Sequence, residues 1–449
     1  PSFDDSGWAQ TPAPVDTLTP AADGAMPTIY VRQRFDAGSA PTRYQKLTVS
    51  YAVDGTYTAY VDGHVMSPSV NGEQTLVMAA GMMPSAENVL ALEIHPRITS
   101  VAMNAKLDGD QAAATGTEIV KGPYLLRPTT DGVKIQWQTA SATASQAVVD
   151  GQAYDGGTGD WHAVTVTGLE ADHSYGYHVE AGASRTDEAR FATAPPDGKR
   201  LRFAVFGDNR TGGDVHRQLI EGLVQEAPDF VVNTGDMVGE STESEWQTFF
   251  DIEHPLLATT PLFPAMGNHE HDYGEDDRFQ QLFPLGDSSQ FNGRVYSVDY
   301  GSVHIAALDS NGDLDAQSRW LDQDLADADA RGRLSFVVLH WGPVCGCSGF
   351  QHGSNDDAEP VAKVSSRHRV AALFSGHNHL YERGVRNGLT YVVSGGGGAP
   401  LQATGTIDST QATFAQNHYV IVDVLGNDVH LTAKTAQGMV LDDATLAAH

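Results

Sequence analysis

From residue 201 onward, short apolar runs at Leu201–Phe206, Phe230–Val232, Leu334–Leu339 and Val370–Phe374 alternate with stretches of helical spacing. Runs this short and this continuous read as strands buried on both faces. Between the first two, Val215, Leu219, Leu223 and Val224 recur at helical spacing, and further amphipathic stretches carry Trp246, Phe249 and Phe250, then Trp320, Leu321 and Leu325. Strands and helices in alternation predict a layered α/β domain over residues 197–449. Tyr419 to Leu425 and Val429 to Thr432, joined across Gly426-Asn427, predict a closing hairpin.

Upstream the helical spacing gives way to period two. Residues 1–117 show short alternating runs such as Leu47-Thr48-Val49-Ser50-Tyr51, broken by the turn signals Asp54-Gly55 and Asp62-Gly63, and read as an antiparallel β-sandwich. Residues 118–196 alternate again in Val133-Lys134-Ile135-Gln136-Trp137 and His162-Ala163-Val164-Thr165-Val166, which suits a second, small sandwich. Pro195-Pro196-Asp197-Gly198 reads as the linker into the α/β domain. The predicted fold class is therefore multidomain, with two N-terminal β-sandwiches followed by an α/β layered domain.

Charge narrows the function. With 57 Asp and Glu against 27 Lys and Arg, the 449-residue chain has a formal charge of −30. That excludes a non-specific nucleic-acid coat or a binder of anionic membranes, both of which need basic surface. No stretch approaches the roughly 18 consecutive apolar residues of a membrane span. Pro1-Ser2-Phe3-Asp4 resembles no signal peptide, so any such segment has been removed or was never there; the chain is read as an exported, secreted or periplasmic protein. Two cysteines, Cys345 and Cys347, cannot build a disulfide scaffold or a Cys-based zinc site, so the 18 histidines carry the chemical information. Cys345-Gly346-Cys347 is compatible with a disulfide or with free thiols, and export favours the disulfide.

Five polar clusters follow the apolar runs in order: Gly207-Asp208-Asn209-Arg210, Gly235-Asp236, Gly267-Asn268-His269-Glu270, His340, and Gly376-His377-Asn378-His379. In open α/β sheets the carboxyl ends of strands converge on one crevice, so clusters in these positions should meet. Each alone is a common turn or polar loop. Together they supply carboxylates, an amide oxygen and imidazoles, a set without thiolate that suits Zn, Mn, Fe or Co.

Their order and spacing resemble the calcineurin-like metallophosphoesterases. With Lys121-Gly122-Pro123-Tyr124-Leu125, Trp137, Gly168-Leu169, Tyr175-Gly176-Tyr177 and Phe191-Ala192-Thr193-Ala194-Pro195 ahead of them, they are most similar to the purple acid phosphatase branch, where a fibronectin-type domain precedes the catalytic one. Leu308-Asp309-Ser310, Gln317 with Trp320-Leu321, and Tyr391-Val392-Val393-Ser394 before Gly395 to Gly398 extend the likeness. Residues 1–117, through Tyr30 to Phe35, Tyr60 to Gly63 and Asn88 to His95, resemble galactose-binding-like jelly rolls, which implies a possible carbohydrate partner.

The resemblance implies hydrolysis of phosphate mono- or diesters by metal-bound hydroxide with two divalent or trivalent ions. Asp208 and His379 would hold the first ion, Asp236 would bridge, Asn268, His340 and His377 would hold the second, and His269 would sit beside the reacting phosphate. Glu270 would orient an imidazole. Two positions depart from the family. The tyrosine that colours purple acid phosphatases, three residues after the bridging Asp, is Gly239 here. A His that many other relatives carry two residues after the first Asp is Arg210, whose guanidinium cannot ligate a metal. The first site therefore lacks a ligand and is expected to be weak, while Arg210 either binds a phosphate oxygen or pairs with a carboxylate. His352 is a further candidate to face the substrate. Asp309 to Asp315 alternates oxygens like a calcium loop but has Leu314 where Gly is needed and Trp320 where Glu should close it. The rival reading is a non-catalytic exported protein, binding glycan or metal, with a degenerate phosphoesterase site.

Overall fold

The computed structural model describes the strands between residues 29 and 109, and then residues 117–272, 278–287, 289–347 and 353–446. The chain divides into two compact units, Pro1–Thr115 and Gly116–His449.

The first unit is β-rich, with antiparallel pairing in both of its sheets. Ile29–Asp36, Glu87–Pro96, Gly55–Val61 and His64–Val70 form a four-stranded sheet in that order. Gln74–Ala79, Tyr44–Ala52 and Ala102–Gly109 form a three-stranded one. Val61 pairs with His64 at the end of its antiparallel ladder.

The second unit opens with a six-stranded antiparallel sheet between Ile119 and Ala192. Its long strands Gly132–Val149 and Gln152–Thr167 pair along most of their length, and one face encloses Leu125, Val133, Ile135, Trp137, Val164, Val166, Tyr177 and Phe191. On the opposite face Lys121 and Gln136 are buried as well. That face docks on the α/β part: Lys121 pairs with Glu243, the Gln136 amide donates to the Gln281 carbonyl at 2.8 Å, and Tyr124 Oη donates to the Leu282 carbonyl at 2.8 Å.

The α/β part is built on two sheets. One runs Leu262–Pro264, Phe230–Asn233, Leu201–Phe206, Tyr419–Leu425, Asp428–Lys434, Val440–Leu446. The other runs Tyr296–Tyr300, Val303–Ala307, Leu334–Val338, Val370–Ser375, Leu389–Ser394, Tyr381–Arg386, Thr410–Phe414. Phe203 and Phe230 of the first sheet meet Phe336 and Phe374 of the second, with Phe203 and Phe336 ring centroids 5.0 Å apart. Phe336 and Val338 belong to this inter-sheet core, while Val337 and Leu339 point the other way, into a core shared with helices Leu314–Ala330 and Glu359–Ser365. A strand covered on both faces must be apolar throughout, which explains the unbroken runs. Helices Gly213–Glu226 and Glu243–Leu257 cover the outer face of the first sheet through Leu219, Leu223, Trp246 and Phe249, whereas Val224, assigned to that apolar stripe from its spacing, is exposed. The hairpin across Gly426-Asn427 forms as predicted, with Leu425 opposite Asp428. Among the described residues no helix is long and apolar enough to cross a membrane.

His304, on the Val303–Ala307 strand, is nearly fully buried between Asp299 and Asp324, each 2.7 Å from a ring nitrogen. Burial alone would depress its pKa, but the two hydrogen bonds and both negative charges outweigh that and push it up to about 9. A folded-state pKa above the ordinary value of about 6.5 means that the stabilisation is complete below pH 6.5 and lost as pH rises through about 9. Replacing His304 with Gln should therefore lower the thermal midpoint clearly at pH 6, and the gap from wild type should narrow by pH 10. A gap that is constant over this range would show that the imidazolium contributes nothing beyond packing.

Candidate metal centre

Each polar cluster begins just beyond the carboxyl end of a strand. Leu201–Phe206, Phe230–Asn233 and Leu262–Pro264, mutually parallel, deliver Asp208, Asp236 and Asn268. Leu334–Val338 and Val370–Ser375, parallel in the other sheet, deliver His340 and then His377 and His379. The chain turns sharply at these points: Asp208, Asp236 and His377 have φ of 56°, 54° and 66°, left-handed values that side-chain-bearing residues seldom adopt and that concentrate at functional sites. Neighbouring glycines give the carboxylates room. A Cβ on Gly267 would lie 2.2 Å from Asp236 Oδ1, and one on Gly376 would lie 2.3 Å from Asp208 Oδ2.

Four donor atoms assigned to the second ion converge. Asn268 Oδ1 lies 3.0 Å from His340 Nε2 and 3.0 Å from His377 Nδ1. His340 Nε2 lies 3.3 Å from His377 Nδ1 and 3.2 Å from Asp236 Oδ1. His340 Nδ1 donates to the Thr234 carbonyl at 2.9 Å, and burial lowers the pKa of the ring. Its Nε2 therefore presents a lone pair, and it faces two more oxygen lone pairs with no proton between them. Ligands about 2.1 Å from a common ion stand roughly 3.0 Å apart in an octahedron and 3.4 Å in a tetrahedron, so these residues fit a metal. Asp208, Asp236 and His340 also form a group whose ligand atoms lie within 4.8 Å of one another.

The atoms assigned to the first ion are arranged differently. His379 Nδ1 donates to the Pro400 carbonyl at 2.8 Å, which directs Nε2 toward Asp208 Oδ1 at 3.5 Å. Arg210 reaches the same place, its Nε donating to Asp236 Oδ2 at 3.1 Å and its Nη2 to His379 Nε2 at 3.4 Å. A guanidinium lies on the donors, and this set does not fit a metal as it stands. Of the two roles open to Arg210, the carboxylate pair is present.

The electrostatics follow from burial. Asp208 is raised well above the usual carboxylate range, first by burial and then by the charge of Asp236. Burial works against the charge of Asp236 too, yet the Arg210 guanidinium and the His269 backbone N–H hold its carboxyl below that range. Glu270, raised to about 8 by burial and by Asp236, corrects the expectation that it orients an imidazole: its oxygens accept the backbone N–H groups of Asp236, Val238 and Gly267 at 2.8–3.1 Å. It fixes the loop that carries Asp236. His269 Nδ1 donates to the Gly239 carbonyl, and its Nε2 lies 3.8 Å from Asp236 Oδ2.

Several contributors carry no signal in the sequence. Trp341 stacks on His377 with ring centroids 4.4 Å apart and fixes the plane of that ring. Beneath the site, buried Glu253 holds His216 at 2.6 Å, His216 lies 3.4 Å from the Asn209 amide, and Asn233 links Asn209 to the Gly235 N–H. Only a helix pattern was visible at His216 and Glu253, because partners on separate helices leave no spacing signature. His352 lies outside the described residues. Cys345 and Cys347 form a disulfide. In the calcium-like loop, Asp313 caps helix Leu314–Ala330 through the Ala316 N–H and Asp309 accepts the Asn311 N–H, so both oxygens serve the backbone.

Residues 201–381 match the family model described as calcineurin-like phosphoesterase. The chain carries a calcineurin-like metallophosphoesterase domain. Purple acid phosphatase 22 of Arabidopsis thaliana is 28% identical over 240 residues, covering 50% of this chain and 54% of that protein. A nucleotide pyrophosphatase/phosphodiesterase of Hordeum vulgare is 26% identical over 290 residues, covering 51% and 77%. The first of these is matched over about half its length. Among solved structures, the purple acid phosphatase PPD1 from yellow lupin seeds superposes with a TM-score of 0.67 at 17% identity, covering 94% of this chain and 93% of that one, which shows a shared fold.

Gly239 in the phosphoesterase domain offers only a carbonyl, and that carbonyl is occupied by His269. Loaded with iron, the protein should lack the strong visible charge-transfer band of a tyrosinate. A purple preparation would show that another Tyr reaches the metal and that the alignment of this loop is wrong.

Proposed function

We propose that this protein hydrolyses phosphate mono- or diesters with a metal ion held by Asp236, Asn268, His340 and His377. The observation that carries the reading is the convergence of those four donor atoms at 3.0–3.3 Å. Oxygen and nitrogen donors without thiolate suit Zn, Mn, Fe or Co. A cation bound there supplies an acidified water and compensation for phosphoryl oxyanion charge. His269, with Nδ1 committed to a carbonyl, presents Nε2 either to protonate the departing alkoxide or to hold a phosphoryl oxygen. A guanidinium has five N–H donors, and Arg210 commits Nε and Nη2 within the protein, so others remain to bind a phosphoryl oxygen. A bound cation would satisfy the lone pairs that His340 Nε2 and the Asn268 and Asp236 oxygens present to one another out of water, and retention of His269 beside them favours the enzyme over a non-catalytic glycan or metal binder.

The same reading treats residues 1–117 and 118–196 as strand-only modules, jelly-roll-like and fibronectin-type, ahead of a catalytic domain at 197–449. It also places the protein outside the cytoplasm, where the Cys345–Cys347 disulfide would persist.

Aryl phosphate mono- and diesters, assayed on metal-analysed protein, test the proposal. Asp236→Asn and His377→Ala should abolish hydrolysis and lower bound metal. His269→Gln should lower kcat by about 10²- to 10⁴-fold with metal content intact, the range for a lost general acid. Near wild-type turnover in Asp236→Asn with metal retained would sink the assignment.

A further inference from the structure

We propose that Arg210 takes the place of the first metal ion, so that each chain holds a single metal cation. The inference rests on the phosphoesterase reading above and departs from the two-ion centre which that family implies.

The first position has the inputs of a metal site but is already served by a cation. Asp236 Oδ1 faces the second position and Oδ2 faces Arg210 Nε, so this carboxylate spans a metal set on one side and a guanidinium on the other. His379 Nδ1 is taken up by the Pro400 carbonyl, and Arg210 Nη2 is the donor beside its Nε2. Asp208 completes the enclosure 3.5 Å from that nitrogen. The arginine is not a solvated arm that could swing aside: its side chain is 17% exposed.

Its backbone is held as well. The Arg210 N–H donates to the Asp236 carbonyl at 3.2 Å, Ala399 donates to the Asp208 carbonyl at 2.8 Å and Gly397 to that of Gly207 at 2.9 Å. A Cβ on Gly212 would lie 1.9 Å from the Gly398 carbonyl oxygen, so the loop is pressed against its neighbour. A metal could enter only by displacing a fixed guanidinium from two acceptors and then tolerating its charge nearby. Arginine keeps its proton throughout the accessible pH range, so the substitution is permanent.

The test is a metal count on the full chain, stripped with a chelator, reloaded with excess Mn(II) and desalted. Elemental analysis should give one equivalent per chain, and the Mn(II) electron paramagnetic resonance spectrum should be that of an isolated ion. Arg210→His should bind a second equivalent and show a spin-coupled pair. Arg210→Gln, which keeps the shape and removes the charge, serves if the histidine variant does not fold, and should raise affinity at the first position. Two equivalents with a coupled spectrum in wild type would overturn the proposal while leaving the phosphoesterase reading intact. One equivalent in both wild type and Arg210→His would overturn Arg210 as the reason. No bound metal in wild type would overturn the metal-centre reading itself, and this inference with it.

Discussion

The buried carboxylate of Asp236 is the group on which the arrangement of the site depends. It lies at the join of two sheets, and its surroundings are arranged to stabilise a charge withdrawn from water: the His269 backbone N–H at Oδ1 and the Arg210 guanidinium at Oδ2. Burying a charge is tolerable only with partners of this kind. The compensation is incomplete, because Asp208 and Glu270 are buried close by and the charge of Asp236 acts on both. The raised pKa of Asp208 and the value of about 8 for Glu270 express that shortage. A divalent cation at the second position would relieve it, and its binding would expel protons, so affinity should weaken as the medium becomes acidic.

The fold's contribution is to hold this costly group in place. Two sheets packed through Phe203, Phe230, Phe336 and Phe374 bring the ends of five strands to one rim. There the chain turns through left-handed Asp208, Asp236 and His377, conformations that persist only where the surroundings over-determine them. Glu270 supplies part of that determination by tying three backbone N–H groups around the Asp236 turn. The Glu253–His216–Asn209–Asn233 chain supplies more from below. Changes at these positions would move the ligands without removing any of them.

How much of this was legible in the sequence depends on how local the cause is. Strands at 201–206, 230–232, 334–339 and 370–374 were legible because a segment buried on both faces must be apolar without a break. The candidate donors were legible because each follows such a strand directly. Contacts made across the chain were not. Gln136 stands in a plain alternating run, and the docking face that buries it is contributed 145 residues later. Glu270 reads as a partner that orients an imidazole, yet the short helix from Asn268 turns its carboxylate onto backbone amides. Trp341 follows His340 in sequence but serves His377. In each case the residue type was visible and its partner was set by tertiary geometry.

Arg210 shows what such geometry adds to a motif. Read along the chain, it is a position where a ligand has been lost, which suggests a damaged site. Read in space, its guanidinium links Asp236 to His379 and supplies positive charge where two buried carboxylates approach each other. A histidine there would contribute a lone pair and depend on a metal for charge, and that metal must compete with protons for Asp208 and His379. Arginine brings its charge on a covalent tether. The field at the first position is then independent of metal supply, and only the second position responds to the cation concentration. An exchange of that kind lowers the Lewis acidity available to the reaction but leaves a fixed donor for the phosphoryl group, so it alters the chemistry of the centre without emptying it.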